Sequence, residues 1–146
     1  MIALGSDHAG FEYKERLKKY LDENGKSFKD FGAFSPDSVD YPDVAHVVSE
    51  AVANGECESG ILICGTGIGM SIAANKHKGI RAAVCESPAS AKLSREHNNA
   101  NILCVGARIS PWEVAIDIVK TFLSTPFSNG ERHICRIQKI HSLTNL

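Results

Sequence analysis

Two rhythms of apolar residues alternate along this chain. Short, mostly apolar runs at Ile2 to Gly5, Gly60 to Cys64, Ile80 to Cys85 and Ile102 to Val105 are separated by longer segments whose apolar residues fall on one helical face. Such alternation predicts an α/β domain on a mainly parallel sheet, and the unbroken run Gly60-Ile61-Leu62-Ile63-Cys64 predicts a strand covered on both faces. The first helix is expected from about Gly10 to Asn24. Tyr13, Leu17, Tyr20 and Leu21 share one of its faces, Lys14, Lys18 and Lys19 are left to solvent, and Gly25 is a stop signal. Ser27 to Asp30 is a weaker strand whose two charges suit a sheet edge.

A second helix, opened by Pro42 as its first residue, carries Val44, Val47, Val48, Ala51 and Val52 and ends at Asn54-Gly55. Gly65-Thr66-Gly67-Ile68-Gly69 leads into a helix through Asn75, and Ser87-Pro88 opens another running towards His97. Ser110-Pro111-Trp112-Glu113 reads as a capping box with proline at the first helical position, predicting a helix from Pro111 to about Leu123. In the terminal helix, about 130–143, Ile134, Ile137, Ile140 and Leu143 recur every three residues. A stripe of that kind needs a surface to dock on, which a neighbouring subunit can supply.

Composition narrows the picture. The 146 residues, 43% of them hydrophobic, suffice for one core and are few for two, so a single domain over 1–146 is expected. Sixteen basic against seventeen acidic side chains give no general attraction to nucleic acid or to an anionic membrane. No apolar run reaches membrane-spanning length and no signal leader precedes Ile2, so a cytoplasmic address is expected. The five cysteines, Cys57, Cys64, Cys85, Cys104 and Cys135, are odd in number and form no C-x-x-C pair, which fits free thiols and supports neither disulfides nor zinc.

In open parallel α/β sheets, ligands bind at the carboxyl ends of the strands. Ser6-Asp7-His8 follows the first strand, Cys64 and the glycine loop follow the third, and Arg108 follows the last, whereas His97-Asn98-Asn99 lies between a helix and that last strand. Glycines at 65, 67 and 69 can expose backbone N–H groups at a helix start, a site for an anion or a developing oxyanion. The rival is a dinucleotide fingerprint, with Glu86 about twenty residues on as the ribose-binding acid, although Met70 replaces its third glycine. Cys64 is either a small core residue or a thiolate favoured by those amides, and Thr66 offers a hydroxyl beside it. The other four cysteines read as structural. Asp7, His8 and His97 are candidate acid-base groups. Arg132 and Arg136, i and i+4 on the terminal helix, either grip one phosphate or form a solvated basic face.

Gly5-Ser6-Asp7-His8-Ala9-Gly10, Asp40-Tyr41-Pro42, the run from Gly60 to Lys76, Gly79-Ile80-Arg81-Ala82, Ser94-Arg95-Glu96-His97-Asn98 and Arg132 to Arg136 together resemble the type B ribose-5-phosphate isomerases and their hexose-phosphate relatives. The resemblance implies a Rossmann-like three-layer αβα sandwich around a five-stranded parallel sheet, and a homodimer with active sites between subunits, which can pair into a tetramer. It implies cofactor-free, metal-free isomerisation of D-ribose 5-phosphate to D-ribulose 5-phosphate through a cis-enediolate, a pentose phosphate pathway step, or else the same reaction on allose or galactose 6-phosphate. Cys64 would be the base and Thr66 would move the hydroxyl proton. The amides of Gly65, Gly67, Ile68 and Gly69 would hold the enediolate oxygen. Asp7 and His97 would assist ring opening, and Tyr41 and Asn98 would contact sugar hydroxyls. His8, Arg108, Arg132 and Arg136 would take the phosphate, the last two from the neighbouring subunit. One branch of the family carries a glutamate base at the position of Met70, and methionine cannot accept a proton. A nicotinamide-dependent reductase and a phosphate-binding module without turnover are the more distant readings.

Overall fold

Strands and helices alternate in the order β1 (Ile2–Ser6), α1 (Phe11–Glu23), β2 (Phe28–Asp30), α2 (Tyr41–Ala53), β3 (Ser59–Cys64), α3 (Ile68–Ala74), β4 (Ala82–Val84), α4 (Pro88–Asn98), β5 (Ile102–Gly106), α5 (Trp112–Ser124) and α6 (Glu131–Thr144) in a computed structural model that describes all 146 residues. The five strands form one sheet in the order β2-β1-β3-β5-β4, and every neighbouring pair is parallel. The central strands pair in the register Leu4 to Ile61 to Leu103, so side chains of one row point to the same face.

Alternation along these strands divides the core in two. Ala3, Leu62, Cys64, Ile102 and Cys104 meet Val44, Val48 and Val52 of α2 and Met70 and Ala74 of α3. Leu4, Ile61, Ile63, Leu103 and Val105 meet Leu17 and Leu21 of α1, Ala91 of α4 and Ile118 and Phe122 of α5. The central strands carry unbroken apolar runs, as in Ile61-Leu62-Ile63 and Ile102-Leu103-Cys104-Val105, because both faces are covered, and each such leucine or isoleucine contributes about 1.5–3 kcal/mol on burial. This is the expected three-layer α/β/α arrangement.

Several local expectations are corrected. Lys14 is not at the surface: it is fully buried, with Nζ 2.7 Å from both carboxylate oxygens of Asp30 on β2 and the rings of Phe11 and Phe34 within 5.8 Å. Of the two charges that weakened the case for β2, Asp30 is thus its attachment to α1 while Lys29 pairs with Glu56 beyond α2, and β2 does lie at a sheet edge. Pro42 occupies the second position of α2, after Tyr41, and Val47 is 41% exposed on the flank of the apolar stripe. Ser110 does not cap α5. Its N–H bonds to the carbonyl of Gly106 and its carbonyl accepts from the Tyr13 hydroxyl at 2.8 Å, so the helix starts one residue later, at Trp112. Ser87 does cap α4, accepting from the N–H of Ser90. The strand expected over Ile80 to Cys85 shortens to Ala82–Val84 because β4, at the other edge, has only β5 to pair with. Cys57, Cys85 and Cys104 are buried as structural residues are, while Cys135 is exposed.

The terminal helix spans Glu131–Thr144 and buries only His133. It starts beside the end of α4, where the Ser128 hydroxyl donates to the carbonyl of Glu96, and finishes where the carbonyl of Leu146 accepts from Gly79 N–H at 3.1 Å. Its apolar stripe stays in the open, with Ile134, Ile140 and Leu143 exposed. No helix is long and apolar enough to cross a membrane.

Candidate active site

The chain leaves β1 to one side for β2 and returns past β1 to reach β3, so the topological switch lies between the carboxyl ends of β1 and β3. There the loops are tied together by backbone hydrogen bonds: Asp7 N–H to Ile63 C=O at 3.2 Å, Ala107 N–H to Cys64 C=O at 2.8 Å, and Arg108 N–H to Gly65 C=O at 2.9 Å. Cys64 ends β3 with its sulfur on the α2/α3 face. The residue is 4% exposed, and Gly67 N–H donates to Sγ at 3.1 Å. That bond requires the chain to turn back sharply, which Gly67 achieves at φ +78°. The sulfur thus sits at the rim of the apolar layer with an amide aimed at it. Thr66 is exposed, its Oγ1 accepting from Ile68 N–H at 3.2 Å. Met70 is fully buried against the same face, so Cys64 is the one ionisable side chain in the glycine loop.

Around this loop stand four further sequence candidates. The ring of Tyr41, at the start of α2, lies over Gly69: a methyl there would fall 2.6 Å from Tyr41 Cζ. The Arg108 guanidinium lies over Gly65, with a methyl on that glycine 3.2 Å from its nitrogen. Asp7 is nearly buried, its Oδ1 accepting from Gly10 N–H at 3.0 Å in the turn that leads into α1. His8 is exposed, with Nδ1 accepting from Val39 N–H at 3.4 Å. Ile68 and Gly69 begin α3 beside them.

His97, Asn98, Arg132 and Arg136 are not in this group. A helix returning from the carboxyl end of β4 to the amino end of β5 must finish at the amino edge of the sheet, and there the carbonyls of Asn98 and Asn99 accept from Arg81 Nε, just ahead of β4. His97 stacks on His133 of α6, ring centroids 4.4 Å apart and planes 15° from parallel. Partial burial and the charges of His97, Arg132 and Arg136 push His133 below the usual histidine range, favouring the neutral ring on which His97 rests. In the sequence the only signal for His133 is its place between Arg132 and Arg136, which lie one turn apart on α6. The expected constellation is therefore split within one chain, with Cys64, Thr66, Asp7, His8, Tyr41 and Arg108 at one end of the sheet and the histidine–arginine cluster at the other.

The family model described as Ribose/Galactose Isomerase matches residues 2–140. The chain belongs to this family. It is 47% identical to ribose-5-phosphate isomerase B of Escherichia coli over 142 residues, 97% of this chain and 95% of the relative. The solved structure of Clostridium thermocellum ribose-5-phosphate isomerase B superposes with a TM-score of 0.96 at 49% identity, covering 99% of this chain and 97% of that one. A relative from Pectobacterium atrosepticum, 40% identical over 131 residues, 88% of this chain and 86% of its own length, is named D-erythrulose-4-phosphate isomerase.

As a member of the ribose/galactose isomerase family the chain is an aldose–ketose isomerase, and the fold disposes of the dinucleotide alternative. A ribose-binding acid belongs on the strand beside the glycine-loop strand. Glu86 follows β4, which β5 separates from β3, and Met70 fills the position where a third glycine would let helix and sheet approach.

Proposed function

We infer that the protein interconverts D-ribose 5-phosphate and D-ribulose 5-phosphate, with Cys64 as the base. The observation that carries this is the Cys64 sulfur at the switch point, held by Gly67 N–H at 3.1 Å, in a chain 47% identical to a ribose-5-phosphate isomerase. With the sugar ring open, the Cys64 thiolate takes the proton from C2. Electrons move towards the aldehyde oxygen to give a cis-enediolate, and the thiol returns the proton to C1. Thr66 passes the proton between the two oxygens. Backbone N–H groups of Gly65 and Gly69, joined by those of Gly67 and Ile68 as they leave Cys64 Sγ and Thr66 Oγ1, hold the charge that grows on oxygen, an interaction stronger in the transition state than in the ground state. Asp7 and His97 assist ring opening, Tyr41 and Asn98 contact sugar hydroxyls, and Arg108 and His8 bind the phosphate. Anchoring a group remote from C1 and C2 converts binding energy into orientation over the sulfur.

The split of the cluster supports a homodimer in which His97, Asn98, Arg132 and Arg136 of one subunit complete the site of the other. Each half is bordered by exposed apolar residues suited to an interface, Ile68 and Ile72 beside the loop and Ile134, Ile140 and Leu143 on α6. Pairing of two such dimers into a tetramer belongs to the same reading and would use a second surface. We place the single domain of residues 1–146 in a reducing cytoplasm, where five free cysteines are stable.

Cys64→Ala tests the assignment. It should fold, bind the sugar phosphate and lose isomerase activity by at least about two orders of magnitude, the usual worth of a positioned base. Near-normal turnover would remove Cys64 from the reaction. The D-erythrulose-4-phosphate isomerase relative favours a second substrate reading, and a higher kcat/KM on four-carbon or six-carbon sugar phosphates than on ribose 5-phosphate would select it.

A further inference from the structure

On the outer surface of the α2/α3 layer, away from the glycine loop, His46 Nδ1 and His77 Nε2 lie 2.8 Å apart. His46 sits midway along α2 and Glu50 one turn further along, while His77 is in the turn that follows α3. One ligand atom from each of the three side chains falls within 4.8 Å of the others. The tautomer of His77 follows from its surroundings. Its Nδ1 is 3.1 Å from the carbonyl oxygens of both Ala73 and Ala74; a carbonyl only accepts, so the proton is on Nδ1 and the Nε2 lone pair faces His46. A neutral imidazole held through Nδ1–H by a backbone carbonyl is the arrangement that orients a metal-bound histidine.

The geometry points to a binding site for a divalent transition-metal ion, of the zinc, nickel or cobalt kind, made by His46, Glu50 and His77. Without an ion, His46 keeps its proton on Nδ1 and donates it to His77 Nε2. When that proton moves to Nε2 of the same ring, two nitrogen lone pairs and a carboxylate converge on one point. Bonds of about 2.0–2.1 Å at tetrahedral angles place two ligating nitrogens about 3.3 Å apart, so the rings need separate by only about half an ångström. Both histidines are at least partly exposed and α2 carries Glu50 on the same face, so side-chain rotation suffices. Two imidazoles and one carboxylate select borderline metals over magnesium or calcium, which prefer all-oxygen shells. Water completes the fourth position. The ion joins the middle of α2 to the end of α3 and favours the folded state by mass action. None of the three residues belongs to the isomerase machinery, so the site does not depend on the mechanism assigned to Cys64.

The test uses the full chain without a polyhistidine tag, stripped by chelator and titrated with cobalt(II) by absorption and with zinc by calorimetry. The expected result is one ion per chain, ligand-field bands without a thiolate charge-transfer band, and a melting temperature raised by zinc. His46→Ala, His77→Ala and Glu50→Gln should each lose or weaken binding and the zinc-dependent shift, while circular dichroism and metal-free isomerase turnover stay as in the parent. Absence of stoichiometric binding overturns the proposal. So does binding that persists unchanged in both histidine variants, or a thiolate band that places the ion on Cys64 or Cys135.

Discussion

Gly69 illustrates how a single residue gives up local preference to make room for a neighbouring ring. It is the second residue of α3, where alanine would favour the helix by about 1 kcal/mol. A methyl there would lie 2.6–3.0 Å from three carbons of the Tyr41 ring. Because Tyr41 is 40% exposed, the ring can swing outward rather than distort the backbone. Gly69→Ala should therefore melt no lower than the parent yet show reduced kcat/KM through loss of the tyrosine position. Unchanged kinetics, with thermal melting measured alongside, would take Tyr41 out of substrate contact. The glycine spacing was readable along the chain, but the ring that Gly69 accommodates comes from a residue far away in sequence, and only the fold pairs them. Cys64 is a similar case: position at a strand end was legible, whereas the amide that holds its sulfur depends on the backbone reversal at Gly67.

Between elements, the tie that matters most is the one joining α1 to the edge strand β2. Lys14 is completely buried, while the Asp30 side chain is 14% exposed and also meets Lys18 at 2.9 Å and Gly32 N–H at 2.9 Å. The partners are thus unequal. Asp30→Asn leaves a buried ammonium with only the half-exposed Glu15 carboxylate at 3.5 Å and should cost up to about 3–5 kcal/mol, whereas Lys14→Met leaves Asp30 with Lys18 and should cost clearly less. Denaturant melts of the two variants check the order, and a more severe Lys14→Met would show that the lysine's packing outweighs its charge. Burial acts to raise the Asp30 carboxyl, but hydrogen bonds from Lys14, Lys18 and Gly32 outweigh it and hold the group below the ordinary carboxylate range. Stability from this group is full above the unfolded value of about 4 and is lost as pH falls through the lower folded value. Acid unfolding should accordingly be shallower below pH 4 in Asp30→Asn than in the parent. Lysine type and helical phase assigned Lys14 to solvent because a helix read alone cannot register a carboxylate on another strand.

At the scale of the molecule, the half-sites at opposite ends of the sheet make a quantitative prediction about assembly. On the proposed assignment, Cys64→Ala removes the base and an Arg132→Ala, Arg136→Ala chain removes a phosphate contact, so each homodimer is expected to be inactive. Random reassociation makes half of the dimers mixed, and each mixed dimer holds one intact site of two, restoring about a quarter of parental specific activity. An assay after mixing unfolded chains and refolding them together measures this; no recovery would mean that both sets of residues act within one chain. The α/β class, the central strands and the glycine loop were legible in the chain because strands buried on both faces must be apolar at every position, and because tight turns at strand ends restrict the residues they accept. The Lys14–Asp30 pair, the start of α5 at Trp112 and the separation of His97 and Arg132 from Cys64 were settled only by tertiary structure. Hydrophobic periodicity reports which side of an element faces the core, and it carries no information about which distant group meets a given side chain there.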